Sequence, residues 1–167
     1  MKKVYRYDVF ETAIGPLTAA VDQDGAVTHL YTSDTGDSFG ALGFVRDSDA
    51  VAPVRSQLEE YACGKRREFD LPLAPEGTPF QHRVWELLKQ IPYGETRSYG
   101  DLAEALGSPK ASRAVGRANG TNPISIIVPC HRVIGSTGTL TGYGGGLPMK
   151  QKLLELEGAL EPALFVV

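Results

Sequence analysis

Apolar positions in the first third of the chain alternate with polar ones, the period of strands with one buried face. "VYRYDVF" (4–10), "PLTAAVD" (16–22) and "AVTHLYT" (26–32) read as three strands, the last preceded by the hairpin signal "DQDG". "TSDTGDSFGA" breaks the alternation with polar residues and glycine and reads as a loop. In "PVRSQLEEYACG" (53–64) the period lengthens: Val54, Leu58 and Tyr61 stand at helical spacing, and Gly64 is the stop. "REFDLPL" (67–73) returns to alternation, with Phe69, Leu71 and Leu73 on one face, and predicts a strand. "APEGTP" (74–79) is a linker, so the spacing predicts an accessory domain over 1–76 and a second domain over 77–167.

The second part is helical. Thr78 and Pro79 open a helix whose stripe is Phe80, Val84, Leu87, Leu88 and Ile91. After "PYGETRS" a short helix spans about Tyr99 to Leu106 and stops at Gly107. Ser108 and Pro109 start another, which runs to about Asn119. Ala111, Ala114, Val115 and Ala118 share one face of it, while Lys110, Arg113 and Arg117 share another. Two helices joined by a tight turn, the second apolar behind and basic in front, read as a helix-turn-helix or as an ordinary helical hairpin. "ISIIV" (124–128) is predicted to be a buried strand or extended segment, and Pro148 to Glu157 a last helix with Met149, Leu153, Leu154 and Leu156. The fold class expected is α+β: a small accessory α/β domain with a mixed or antiparallel sheet, then a mainly helical domain.

Composition narrows this little: 42% hydrophobic and 22% charged residues over 167 positions describe a soluble globular protein. No apolar run approaches membrane-spanning length, and "MKKVYRYDVFETAIG" has no signal-peptide core, so a cytoplasmic location is expected. Cys63 and Cys130 make no Cys-x-x-Cys pair and no metal spacing with His29, His82 or His131. A reduced thiol protein with no metal and no cofactor is therefore expected. Charge says more. Residues 1–78 hold 8 Lys/Arg against 13 Asp/Glu, a balance of −5, and residues 79–167 hold 9 against 7, a balance of +2. No carboxylate lies between Glu104 and Glu155, where Lys110, Arg113, Arg117, Arg132, Lys150 and Lys152 all fall. Such a stretch is a footprint for a polyanion or a solvated basic face.

Within it, "VPCHRVIG" sets Cys130 beside His131. The pair alone is ambiguous: neighbours in an extended chain point apart, and a lone cysteine is more often buried and inert than reactive. The glycine-rich "GSTGTLTGYGGGL" lacks the lysine of a phosphate loop and the dinucleotide fingerprint, which excludes a nucleotide site. Three successive glycines suit close backbone approach to a ligand. Glu157 faces the negative end of its helix dipole, as an exposed glutamate or as one that orients a histidine.

Taken together, "PYGETRSYGDLAEALGSPKASRAVGRANGTNPISIIVPCHRVIGSTGTLTGYGGGLPMKQKLLELEG" resembles the O6-alkylguanine-DNA alkyltransferases, the methylated-DNA–protein-cysteine methyltransferases, over roughly 78–158. The resemblance implies direct-reversal DNA repair: an alkyl group passes irreversibly from O6-alkylguanine, with O4-alkylthymine as a second candidate, to Cys130 in a single turnover. It implies that His131 takes the thiol proton through a water, that Glu157 holds His131, and that Asn122 braces the turn before the active-site segment. Tyr99 would sit by the extruded nucleotide, with Val133, Ser136, Tyr143 and Gly145 lining the guanine pocket. Arg113 would fill the gap in the duplex, and Lys110, Arg117 and Ala114 would lie at the DNA, in the minor groove. Thr121 replaces a basic residue common in the family, and Gly144 a small side chain. A monomer acting on double-stranded DNA is expected. Two alternatives carry different chemistry: a protein that binds alkylated DNA without reacting, and a cysteine hydrolase using Cys130 and His131.

Overall fold

The alternating segments pair as a sheet in the computed structural model, which describes residues 3–160. Strands β1 (Arg6–Thr12) and β2 (Gly15–Val21) run antiparallel from Arg6↔Val21 to Thr12↔Gly15, and β3 (Val27–Tyr31) pairs antiparallel with β2. The polar stretch read as a loop holds a short helix, α1 (Gly36–Ala41), because Phe39 anchors it on Tyr7 and Ala20. Next, β4 (Val45–Arg46) joins β1 in parallel, giving a mixed sheet of order β3-β2-β1-β4. Helix α2 (Ser48–Ala62) covers the other face, where Val51, Val54, Leu58 and Tyr61 are buried. It begins before Pro53, contrary to the sequence reading, because the Asp47 carboxylate accepts from Ala50 N and caps it. Pro53 lies inside the helix on its exposed side, where water can serve the carbonyl that its missing N–H leaves unbonded.

Two further expectations fail for a local reason. "REFDLPL" forms no strand: only Leu73 pairs, in a parallel bridge with Val27. Pro72 can accept from Val27 N (2.8 Å) but has no N–H with which to extend a ladder. "ISIIV" is no strand either. Ile124 bridges to Leu30, and then Ile127 N bonds to Ser125 O at 2.8 Å around Ile126, whose φ is +71°. That is a γ-turn, strained for a β-branched residue by about 1–3 kcal/mol. Ile124 and Ile126 are nevertheless buried, and burial outweighs the local preference. The chain divides into two units, the first ending at Gly77 but reclaiming Pro123–Ile127, so the second is interrupted where the sequence reading kept 77–167 whole.

In the second unit, α3 (Pro79–Lys89) opens with a reciprocal cap between Thr78 and Gln81 and buries Val84, Trp85 and Leu88. Then β5 (Arg97–Ser98) leads into α4 (Tyr99–Ala105), which Ser98 and Asp101 cap in the same reciprocal way. Pro109–Ala111 forms one 3-10 turn, and α5 (Ser112–Gly120) follows. Ser108 makes no side-chain cap, so the helix proper starts later than its sequence suggests. Both α3 and α4 pack on α5, whose Val115 and Ala118 are buried. The Trp85 indole N–H reaches Ala118 O at 2.9 Å, fixing α3 to the last turn of α5. Strand β6 (Val133–Ile134) pairs in parallel with β5, and α6 (Leu147–Leu156) closes the unit. Among the described residues no helix is long and apolar enough to cross a membrane.

Candidate active site and nucleic-acid interface

Two asparagines at the end of α5 hold the cysteine segment. Asn122 Nδ2 donates to Val128 O at 2.7 Å, and Asn119 Nδ2 donates to Cys130 O at 3.4 Å. Between these carbonyls Pro129 (φ −81°, ψ 66°) makes an inverse γ-turn closed by Cys130 N to Val128 O at 2.8 Å. Cys130, His131 and Arg132 then form one 3-10 turn, and all three are buried. This turn puts the adjacent cysteine and histidine in one compact element, which an extended chain would not do. Cys63 differs. It sits exposed at the end of α2 and not against the sheet, and neither cysteine is in a disulfide.

His131 and Glu157 meet in the interior at 2.8 Å, Nε2 to Oε2. Arg132 grips the same carboxylate, with Nε on Oε1 at 2.8 Å and Nη2 on Oε2 at 2.9 Å. Burial alone would push Glu157 up. The bonds from His131 and Arg132 outweigh that and hold it at about 2, against the usual 4.5. The helix dipole, which favours the opposite shift, is overridden by these donors. Burial moves His131 down, opposed by Glu157 and assisted by the charges of Arg132 and Lys150. An ionised carboxylate only accepts, so His131 Nε2 carries the proton. Nδ1 is then the basic nitrogen, and it is buried with no hydrogen-bond partner among the described residues.

Lys150 is fully buried, and sequence reasoning missed its place. Its Nζ donates to Val133 O (2.5 Å) and Thr141 O (2.7 Å), tying β6 to the glycine-rich loop. Burial brings the ammonium down to about 8, with the Cys130 sulfur pulling the other way. The signal was available: Lys150, Leu153, Leu154 and Glu157 stand at i, i+3, i+4 and i+7, one helix face with a charge at each end. Arg132 and Lys150 therefore do not belong to a basic surface, and the carboxylate-free stretch is partly an internal one.

The other expected site residues fall on the same unit. Tyr99 stands at the start of α4, where its hydroxyl donates to Thr141 O (3.5 Å) and accepts from Thr141 Oγ1 (3.3 Å). Val133 is wholly buried, Tyr143 half-buried, and Ser136 and Gly145 exposed on the loop. Gly135 is constrained, since a Cβ there would come within 2.6 Å of Thr139 Oγ1 and 3.2 Å of its carbonyl. Around Gly144 a Cβ would meet nothing within 4 Å, so its missing side chain leaves open space. Lys110, Arg113 and Arg117 are exposed and Ala114 half-buried along the 3-10 turn and α5. Thr121 is exposed, and its hydroxyl donates to Ala118 O at 3.1 Å and accepts from Gln81 Nε2 at 2.9 Å.

The chain that carries this cysteine turn is similar to known proteins along most of its length. Residues 79–159 match the DNA-binding domain of 6-O-methylguanine DNA methyltransferase. The methylated-DNA–protein-cysteine methyltransferase of Methanosarcina acetivorans is 50% identical over 153 residues, 92% of this chain and 98% of that one. That of Mycolicibacterium paratuberculosis is 50% identical over 157 residues, 94% of each. Among solved structures, Mycobacterium tuberculosis OGT in complex with DNA aligns with a TM-score of 0.82 at 49% identity, covering 95% of this chain and 96% of that one. The O6-methylguanine methyltransferase of the same organism aligns at 0.82 and 47%, covering 97% and 96%. Identity of this extent along nearly the whole length shows that the chain belongs to the methylated-DNA–protein-cysteine methyltransferase family.

Proposed function

We propose that this protein repairs alkylated DNA by moving the alkyl group of O6-alkylguanine onto Cys130, once per molecule. The observation that carries the reading is the His131–Glu157 pair, whose free basic nitrogen lies one residue from a buried cysteine. His131 Nδ1 takes the thiol proton through a water, and the Lys150 ammonium favours the thiolate. Sulfur attacks the unhindered alkyl carbon, the carbon–O6 bond breaks, and guanine leaves with a proton restored. The thioether has no useful leaving group, so the protein stops there. Asn122 and Asn119 hold the segment in place, and Tyr99, Val133, Ser136, Tyr143 and Gly145 line the pocket of the extruded base. The protein acts as a monomer in the cytoplasm, with α5 in the minor groove, where small alanines allow close approach and readout is independent of sequence.

Intact mass tests this. After mixing with a duplex oligonucleotide carrying O6-methylguanine, the chain is expected to gain one methyl group, with one repaired guanine per protein. Many guanines per chain would point to a turnover enzyme, and DNA retention with no mass change to a lesion binder. A second expectation concerns Arg113, exposed on the first turn of α5. Arg113→Ala is expected to slow transfer from duplex at least about tenfold, because base extrusion costs a few kcal/mol that a filling side chain offsets. Reaction with free O6-benzylguanine, which leaves no gap, is expected to change little. Equal losses on both substrates would remove Arg113 from that role. Lys110→Ala and Arg117→Ala are instead expected to weaken binding generally and to lower the salt slope by about 1 each.

A further inference from the structure

Glu157 is gripped by more than the histidine it is expected to orient. Three donors converge on its carboxylate, two of them from Arg132, and the third arm of that guanidinium donates from Nη1 to Ile91 O at 2.7 Å. Ile91 is buried just past α3, its own N–H bonded to Leu88 O at 3.1 Å, so this acceptor is fixed. The turn that follows touches both members of the ion pair. The Tyr93 ring lies 5.7 Å from the Arg132 guanidinium carbon, and its hydroxyl donates to Leu156 O at 3.3 Å, one residue before Glu157. Gly94 has φ +85°, and a Cβ on it would stand 3.1 Å from Glu157 O. Any other residue there is strained in its backbone and crowds the carboxylate's own peptide.

We propose that Arg132, clamped by the Ile91–Gly94 turn, is the positioning residue that keeps Glu157 ionised and its carboxylate plane fixed, so that His131 stays neutral with Nε2 as donor and Nδ1 as acceptor. The inference rests on the alkyl-transfer reading above and adds a partner to its proton path. A glutamate paired with histidine alone would share its charge with the ring and make it a stronger base. Such a ring is already protonated near neutral pH and unable to accept from a thiol. Arg132 takes that charge through a planar fork, which lysine cannot reproduce. The charged groups acting on His131 are Lys150 on α6, Glu157 at the end of that helix and Arg132 on its own turn, with Cys130 its chain neighbour. Both cations disfavour a third positive charge, and Glu157 alone favours it.

The test measures the rate of transfer from O6-methylguanine duplex across pH 5–9 for wild type, Arg132→Met, Arg132→Lys and Gly94→Ala, beside DNA affinity. Removing an opposing positive charge raises the pH at which His131 loses its proton. Arg132→Met is therefore expected to shift the acid limb up by about one pH unit and to lower the rate at the optimum about tenfold. Arg132→Lys should fall between, Gly94→Ala should shift in the same direction by less, and DNA affinity should hold. A uniform rate loss with the limb unmoved would overturn the proposal. Nitrogen NMR of the His131 ring in the wild-type protein gives a readout independent of variant folding: a proton on Nε2 and none on Nδ1 at pH 7. A proton on Nδ1 would overturn it equally. A wild type that shows this tautomer but transfers no methyl would sink the alkyl-transfer reading and leave the role of Arg132 toward Glu157 standing.

Discussion

Cys130→Ala is expected to end alkyl transfer completely while the protein still binds DNA. The phosphate contacts that dominate affinity are expected from Lys110 and Arg117, both exposed and on other turns of the chain. Cys130 is buried and removing one heavy atom costs about 1 kcal/mol, so the variant should fold. Cys130→Ser keeps the shape but substitutes an alcohol, which at neutral pH is far less ionised than a thiol, and transfer should again be lost. Cys63→Ser is the control. Cys63 is exposed at the end of α2, and the change should move stability by no more than about 0.5 kcal/mol and leave transfer intact. Peptide mapping after reaction should place the methyl group on the peptide that contains Cys130. Methyl on Cys63, or transfer surviving in Cys130→Ala, would overturn the assignment of the acceptor.

What the sequence revealed follows from the range of the forces involved. Strand alternation, the Thr78 cap, the turn and Gly107 that bracket α4 and the apolar stripes are local, and β1 to β3, α3 and α4 form where those signals stand. α1 has no such stripe: it depends on Phe39 meeting Tyr7 across the sheet, which no window of neighbours contains. "ISIIV" misleads for the same reason, since Ile124 and Ile126 are buried, Ile124 beside the distant Leu30, while the backbone turns at Ile126. At the site, the resemblance brings Cys130, His131, Asn122 and Glu157 forward, and the structure bonds Asn122 to Val128 O just before the cysteine turn and Glu157 to His131 within it. A charge balance counts Arg132 and Lys150 with the surface charge because it carries no information on burial. Only the contacts show that one holds a carboxylate and the other two carbonyls.

His131 and Glu157 are expected to behave as one unit in a double-mutant cycle. A general base contributes roughly 10²–10⁴-fold, so His131→Ala should slow transfer by at least about 10²-fold. Glu157→Gln should cost about 10–100-fold through the loss of orientation. The double variant should be no slower than the worse single one, since the glutamate has nothing left to orient once the imidazole is gone. Stability separates the two residues. Glu157→Gln also strands the buried Arg132 guanidinium, a loss of about 3–5 kcal/mol, whereas His131→Ala leaves the Arg132–Glu157 pair intact. The difference should depend on pH with a fixed sign. Glu157 is held at about 2 against the usual 4.5, so its contribution is complete above pH 4.5 and is lost as pH falls toward 2. The gap in unfolding free energy between wild type and Glu157→Gln should therefore narrow through that window and be flat above it. Additive rate losses, or a gap that stays constant down to about pH 2, would break the idea that Glu157 serves His131 as a buried anion.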